Sequence, residues 1–166
     1  MTYRLFLILI ALAIVFCLTC GVCGDLLDQP GFITLERGPC FGLCPVYSVT
    51  VYENGSYIYQ GDSNTPHPEY LVGITNETVF SELVSRFDEA GFFGMNDKYT
   101  EYLVTDMASA ILTVQTGNQI KTVEHYFGDM NAPPILYDLE NAVDTVLNLS
   151  PVNSSSGYEM IPGEEI

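Results

Sequence analysis

The dipeptide Asn54-Gly55 constrains the fold of this chain more than any other feature. It interrupts a run in which apolar and polar residues alternate. Over residues 46–53, Tyr47, Val49 and Val51 fall on one side of an extended chain, and Ser48, Thr50 and Tyr52 on the other. A two-residue hairpin turn of type I′ needs positive φ at both central positions, and Asn-Gly meets that need better than almost any other pair. The sequence therefore predicts an antiparallel hairpin here, which excludes an all-helical fold. With a two-residue turn, Tyr52 pairs with Tyr57 and Val51 with Ile58. Tyr52, Tyr57 and Tyr59 then share one face of the sheet as a cross-strand aromatic patch, serving sheet packing or ligand contact.

A second hairpin is predicted from residues 109–116 and 119–126 around Gly117-Asn118, with Leu112 opposite Val123 and Ala110 opposite His125. A short strand over residues 32–36 precedes both hairpins. Helical periodicity appears twice. In residues 76–90, Val79, Phe80, Leu83, Val84 and Phe87 form one stripe. Thr75 or Asn76 can cap its start, and Gly91 can end it. The second helix starts near Pro133-Pro134, with Ile135, Leu136, Leu139, Val143, Val146 and Leu147 as its buried stripe. Residues 61–68 and 94–107 read as irregular connections, and Phe92-Phe93 as a core plug. The expected class is α+β: an antiparallel sheet from two hairpins plus an N-terminal strand, with two helices packed on one face. The two halves share this order without a convincing repeat.

Ahead of the domain, residues 5–24 carry no charge, and Arg4 is the one basic residue before them. Three readings fit this segment: a signal peptide cleaved after Gly24, an uncleaved anchor of about 20 apolar residues, or a lipoprotein leader using Cys17, Cys20 or Cys23. Each puts the following domain outside the cytoplasm, secreted or held on the outer face of the membrane. The expected organisation is a signal peptide or anchor over 1–24, a linker over 25–30, one domain over 31–148, and a disordered acidic tail over 149–166.

Charge narrows the partners. The chain has 21 acidic and 5 basic residues, and with Arg4 in the leader the exported part keeps only 4 basic ones. Phosphate backbones and anionic lipid heads repel such a surface, so nucleic acid is excluded as a partner. An unidentified protein or envelope component remains.

The loop Cys40-Phe41-Gly42-Leu43-Cys44-Pro45 is the most distinctive local feature. In an oxidising compartment its cysteines can form a structural disulfide. A redox pair usually has the C-x-x-C spacing at a helix start, and here Pro45 and a strand follow. A metal site would need two more ligands, with only His67 and His125 to supply imidazoles. His125, near a strand end, is either a half-buried sheet residue or an acid–base partner of Asp106 or Glu124. His67, between two prolines, reads as an exposed loop residue. The chain lacks a G-x-S-x-G elbow, an H-E-x-x-H helix, a Gly-rich phosphate loop and an EF-hand pattern. Asn54, Asn76, Asn148 and Asn153 lie in N-x-[ST] sequons.

The pattern Arg37-x-x-Cys40-Phe41-Gly42-x-Cys44-Pro45-x-Tyr47, followed by Asn54-Gly55, resembles an uncharacterised family of exported bacterial and archaeal domains. Gly91-Phe92-Phe93, Asp106 and His125 are similar to later features of that family. The resemblance covers about residues 31–148. It implies export and a two-layer α+β fold, and it groups Arg37, Cys40, Cys44, Asp106 and His125 as one site or one stabilised corner. It supplies no activity and no cofactor.

The leading expectation is a non-catalytic binding or structural module, with no catalytic residue and no metal. The second is an enzyme or a thiol-redox or metal protein using Cys40 and Cys44 with His125 and Asp106. The third is an inhibitor of an exported enzyme.

Overall fold

The computed structural model describes residues 30–146, except 66, 68, 77, 102 and 103, together with Tyr3. The expected leader, linker and acidic tail lie outside the described residues, apart from Tyr3 and Pro30. Among the described residues no helix is long and apolar enough to cross a membrane.

Seven strands form one sheet: β1 (Phe32–Arg37), β2 (Val46–Tyr52), β3 (Ser56–Ser63), β4 (Tyr70–Ile74), β5 (Lys98–Tyr99), β6 (Ser109–Thr116) and β7 (Gln119–Tyr126). Their order is β4-β3-β2-β1-β6-β7-β5, so the N-terminal strand sits centrally between the two hairpins. All pairings are antiparallel except β5 with β7. Helices α1 (Thr78–Glu89) and α2 (Pro134–Val146) supply the buried apolar residues that meet the sheet's inner face. The α+β class and the antiparallel plan are as expected. Two strands, β4 and β5, fall where the sequence reading has no strand: β4 is short, and β5 is two residues joined in parallel to β7.

The second hairpin has the expected register, with Leu112 opposite Val123 and Ala110 opposite His125. The first does not. Val51 pairs with Tyr57 and Thr50 with Ile58. The turn holds three residues, Glu53-Asn54-Gly55, with Gly55 at φ 79° and its amide donating to the Tyr52 carbonyl at 2.9 Å. A three-residue loop with a left-handed glycine is the next commonest hairpin after the two-residue turn. Moving the register by one residue exchanges faces. Tyr57 and Tyr59 therefore join Val49 and Val51 on the core side, while Tyr52 points away, and the expected three-tyrosine patch does not form.

The helix ends follow local chemistry. Asn76 Oδ1 accepts from the Thr78 amide at 3.1 Å, and Gly91 takes φ 68° just past α1. Phe92 is fully buried beside Phe87, as a plug would be. On α2, Leu136, Leu139 and Val143 are buried, but Ile135 is exposed. Glu140 and Asp144 take its place in the buried stripe. His67 is half-buried and meets Tyr59 edge-on at 5.6 Å, rather than standing exposed.

Candidate functional site: a buried charge cluster beneath a disulfide loop

One row of residues crosses the inner face at the end of the sheet nearest the disulfide loop. Tyr47 of β2 pairs with Arg37 of β1, Arg37 with Ala110 of β6, and Ala110 with His125 of β7. The next row, Val49, Leu35, Leu112 and Val123, is wholly apolar and buried. The alternation that turns Ile33 and Leu35 inward also turns Arg37 inward. Because Ala110 has only a methyl group, it leaves room above it for a side chain that reaches both flanking residues.

That side chain is Glu140 of α2. Its Oε2 lies 2.6 Å from Arg37 Nη1, and its Oε1 lies 2.7 Å from His125 Nδ1. One helical turn on, Asp144 Oδ2 accepts from Arg37 Nη2 at 2.7 Å, and its Oδ1 accepts from the Tyr47 hydroxyl at 2.6 Å. All four carboxylate oxygens are thus used. Phe127 and Tyr137 close the His125 side, with ring centroids 4.9 and 4.5 Å from the imidazole, and the guanidinium stacks over Phe127 at 5.6 Å. Two nitrogens of the cluster, Arg37 Nε and His125 Nε2, are buried without a hydrogen-bond partner.

The cluster is sealed. Arg37 is 3% exposed, and His125, Glu140 and Asp144 are at 0%. Burial alone would pull the Arg37 guanidinium down, but Asp144 and Glu140 more than reverse this and hold its pKa above the usual range. Burial, helped by Asp144, pushes the Tyr47 phenol up. Burial also pushes the Asp144 carboxyl up, against the downward pull of Arg37 and Tyr47. Buried ions of this kind cost desolvation, so they specify geometry more surely than they add stability.

The disulfide loop, residues 38–45, stands on this cluster. Arg37 is the last residue before it, and Tyr47 is the second residue after it. Cys40 and Cys44 are bonded to one another, with Cα atoms 5.7 Å apart. The Gly38 amide donates to the Ser109 carbonyl at 2.8 Å, and the Phe41 amide to the Asp106 carbonyl at 3.2 Å. Asn64 Nδ2 donates to the Cys44 carbonyl at 3.3 Å. The tip stays bare: Phe41 is 84% and Leu43 86% exposed. A shallow cleft of about 420 Å³ lies beside the loop's base, with Glu36, Asp62 and Gln60 on its walls.

The structure thus separates the residues grouped by sequence. Arg37 and His125 meet through Glu140. Cys40 and Cys44 form the loop above them. Asp106 joins through its backbone only: its φ is 68°, its carbonyl holds the loop, and its carboxylate accepts from the Thr105 hydroxyl. The carboxylate at His125 belongs to Glu140 rather than to Asp106 or Glu124, and Glu124 pairs with Lys98 instead. Glu140 and Asp144 are the cluster members that the sequence reading does not single out, and Tyr47 enters it only as a strand and motif residue. Their signal was available: two acids four apart inside the apolar stripe of a helix need a buried partner. Among the described residues, no group of three His, Cys, Asp or Glu could hold a metal ion.

Fold and site together define a small α+β domain whose buried ion cluster braces a disulfide-closed surface loop. The family model for a domain of unknown function (DUF6438) matches residues 31–147, and the chain belongs to that family. No curated protein matches the chain.

Proposed function

We propose that the chain is a non-catalytic binding module, delivered outside the cytoplasm by its apolar leader, which presents residues 38–45 to a protein partner. The observation that carries this reading is the bare tip. Two large apolar side chains, Phe41 and Leu43, point into solvent from a covalently closed loop tied to its neighbours on both flanks. A preorganised loop loses little freedom on docking, and apolar anchors of this kind fill pockets at interface centres. The sealed cluster supports the non-catalytic part: its imidazole and carboxylates are too deeply buried to meet a substrate. The partner's chemistry follows from the surroundings. An apolar pocket would take Phe41 and Leu43, and a basic rim would face the acidic domain and the Glu36 and Asp62 walls of the cleft.

The test is capture from envelope extract by the full chain and by a Phe41→Ser/Leu43→Ser variant. The expected result is a partner held by the native chain and lost by the variant, with the far-ultraviolet spectrum unchanged. Equal recovery by both forms, or none by either, would remove the reading. The same loop could block the groove of an exported enzyme. Captured hydrolase activity that falls on binding would select that inhibitor form.

A further inference from the structure

The two edges of the sheet are built differently. On one edge β5 is two residues long and carries Lys98, paired with Glu124, and the stretch of β7 that it leaves uncovered carries Lys121, bonded to Asp97 and the Met95 carbonyl, so charge guards this edge. β4 has the opposite character. Its five residues, Tyr70-Leu71-Val72-Gly73-Ile74, contain no charge, no proline and no bulge. The Gly61 amide donates to Glu69 and the Thr75 amide to Gly55, so by strand alternation residues 69, 71, 73 and 75 bond inward to β3. The amides and carbonyls of Tyr70, Val72 and Ile74 therefore point away from the sheet, and among the described residues they have no partner. Their side chains are exposed as well. In a chain with 21 acidic residues, such an uncharged open edge is an exception to the usual guarding of sheet edges.

We propose that β4 pairs with β4 of a second copy of this chain, antiparallel, on a two-fold axis through Val72. The sequence of the edge is self-complementary in that register. Val72 meets Val72, and each Tyr70 meets Ile74, an aromatic–β-branched pair of the kind that favours sheet formation. The one charge in the segment, Glu69, falls opposite Thr75, so no like charges oppose one another. The outward groups of Tyr70, Val72 and Ile74 then exchange about six hydrogen bonds, because each of the three facing positions is a hydrogen-bonded pair. The symmetry closes at two copies, as an isologous contact must. A five-residue edge is smaller than a stable soluble interface; under the retained-anchor reading of the leader, one of its three readings, a shared membrane raises effective concentration and strengthens pairing. The rest of each acidic domain repels its twin. That repulsion is screened by salt, so association tightens as salt rises. An extended cationic partner on the same edge would show the reverse dependence.

Two measurements on the full chain in detergent micelles test this. Val72→Cys should give an oxidised dimer in which the introduced thiol of one copy is linked to the same position of the other, since facing residues of a hydrogen-bonded pair lie within disulfide reach. Peptide mapping of the crosslink reads this directly. Ile120→Cys, at 63% exposure against 61% for Val72, is the control and should not give such a dimer. Sedimentation should show the native chain dimerising more tightly in 0.5 M than in 0.1 M salt, as the Debye length falls from about 10 Å to about 4 Å. Val72→Lys, which puts like charges face to face, should weaken dimerisation by roughly tenfold or more with the fold intact by circular dichroism. The proposal is overturned if the thiol introduced by Val72→Cys links to a leader cysteine or to another protein in place of its twin. It is equally overturned by linked Ile120→Cys dimers in equal yield, by tighter association at low salt, or by a Val72→Lys chain that dimerises as well as the native one.

Discussion

Replacing Arg37 with Met tests the cluster most directly. The substitution keeps an unbranched side chain between Tyr47 and Ala110 but removes the cation that bonds both Glu140 and Asp144. Both carboxylates are fully buried. Removing one partner of a buried ion pair costs about 3–5 kcal/mol, because the remaining charge has no compensation. Here one deletion strands two charges, so the upper part of that range applies. Set against a total stability of about 5–15 kcal/mol for a domain of this size, the variant would be marginal at neutral pH. With a urea slope near 2 kcal/mol/M, a loss of about 4 kcal/mol lowers the midpoint by roughly 2 M. Far-ultraviolet circular dichroism is the suitable probe, since the chain has no tryptophan. The sign of the pH dependence follows from Asp144. Burial raises its carboxyl pKa, and Arg37 pulls the other way. Without Arg37 the rise is larger. A carboxyl raised in the folded state favours folding below its unfolded value and loses that benefit as pH climbs through the folded value. The deficit of the variant should therefore be largest at pH 7 and shrink towards pH 4. A loss below about 1 kcal/mol at pH 7, far under the range for broken buried pairs, would refute this account. So would a deficit that grows on acidification.

Three further outcomes are expected. Ala110→Leu fills the space through which Glu140 reaches Arg37 and His125, and should cost about 1–3 kcal/mol by overpacking, measured by urea unfolding. Asp129, whose carboxyl is held below the usual range by the amides of Glu101 and Asn131, contributes stability above its unfolded pKa of about 3.9 and loses it as pH falls through the folded value. Thermal melts of Asp129→Asn should accordingly trail the native protein at pH 6 and converge with it near pH 2, at roughly the acid end of the carboxylate range. Cys40→Ser/Cys44→Ser opens a short loop and should lower global stability by only about 2 kcal/mol. The same change should abolish partner capture, because it frees Phe41 and Leu43 from one orientation.

Much of the fold was legible because it rests on local patterns. Period-two alternation located β2, β6 and β7, and period-3.6 stripes located both helices. Gly91 marked the end of α1 by its left-handed φ, and Asn76 marked its start through a side-chain oxygen that accepts from the Thr78 amide. The errors have physical causes too. Asn-Gly supports a two-residue turn, but it also fits a three-residue loop with glycine left-handed, and that single residue moved Tyr57 and Tyr59 to the core. β4 and β5 are too short to show a period, and they exist because longer neighbours offer them an edge. Of the cluster, Arg37 and His125 were visible as residues, but their partner was not. Glu140 lies 103 residues from Arg37 in sequence, and a stripe defined only by apolar side chains passes over a buried acid. Reading Glu140 and Asp144 as out of place among Leu136, Leu139 and Val143 would have called for a buried cation on the facing strand. With so few basic residues in the domain, Arg37 at the inward position was the natural choice.

The placement of that cation explains why the chain accepts a buried ion cluster where a further apolar row would pack as well or better. Apolar side chains tolerate small slides and rotations of a helix over a sheet, whereas a guanidinium held by two carboxylates one turn apart does not. Asp144 bonds both Arg37 and Tyr47, the residues on either side of the disulfide loop. A rotation of α2 by one residue would break both contacts and leave charges buried without partners, so the cluster admits one seating of α2. The loop is then fixed from below by α2, across its base by the disulfide, and along its flanks by Asp106, Ser109 and Asn64. Rigidity imposed from three directions on a loop whose tip stays apolar and bare has little use for folding alone, since removing Phe41 and Leu43 would expose no core. It has a use if the tip must meet a complementary surface without first being ordered, and that is the physical link between the buried cluster and the proposed binding role.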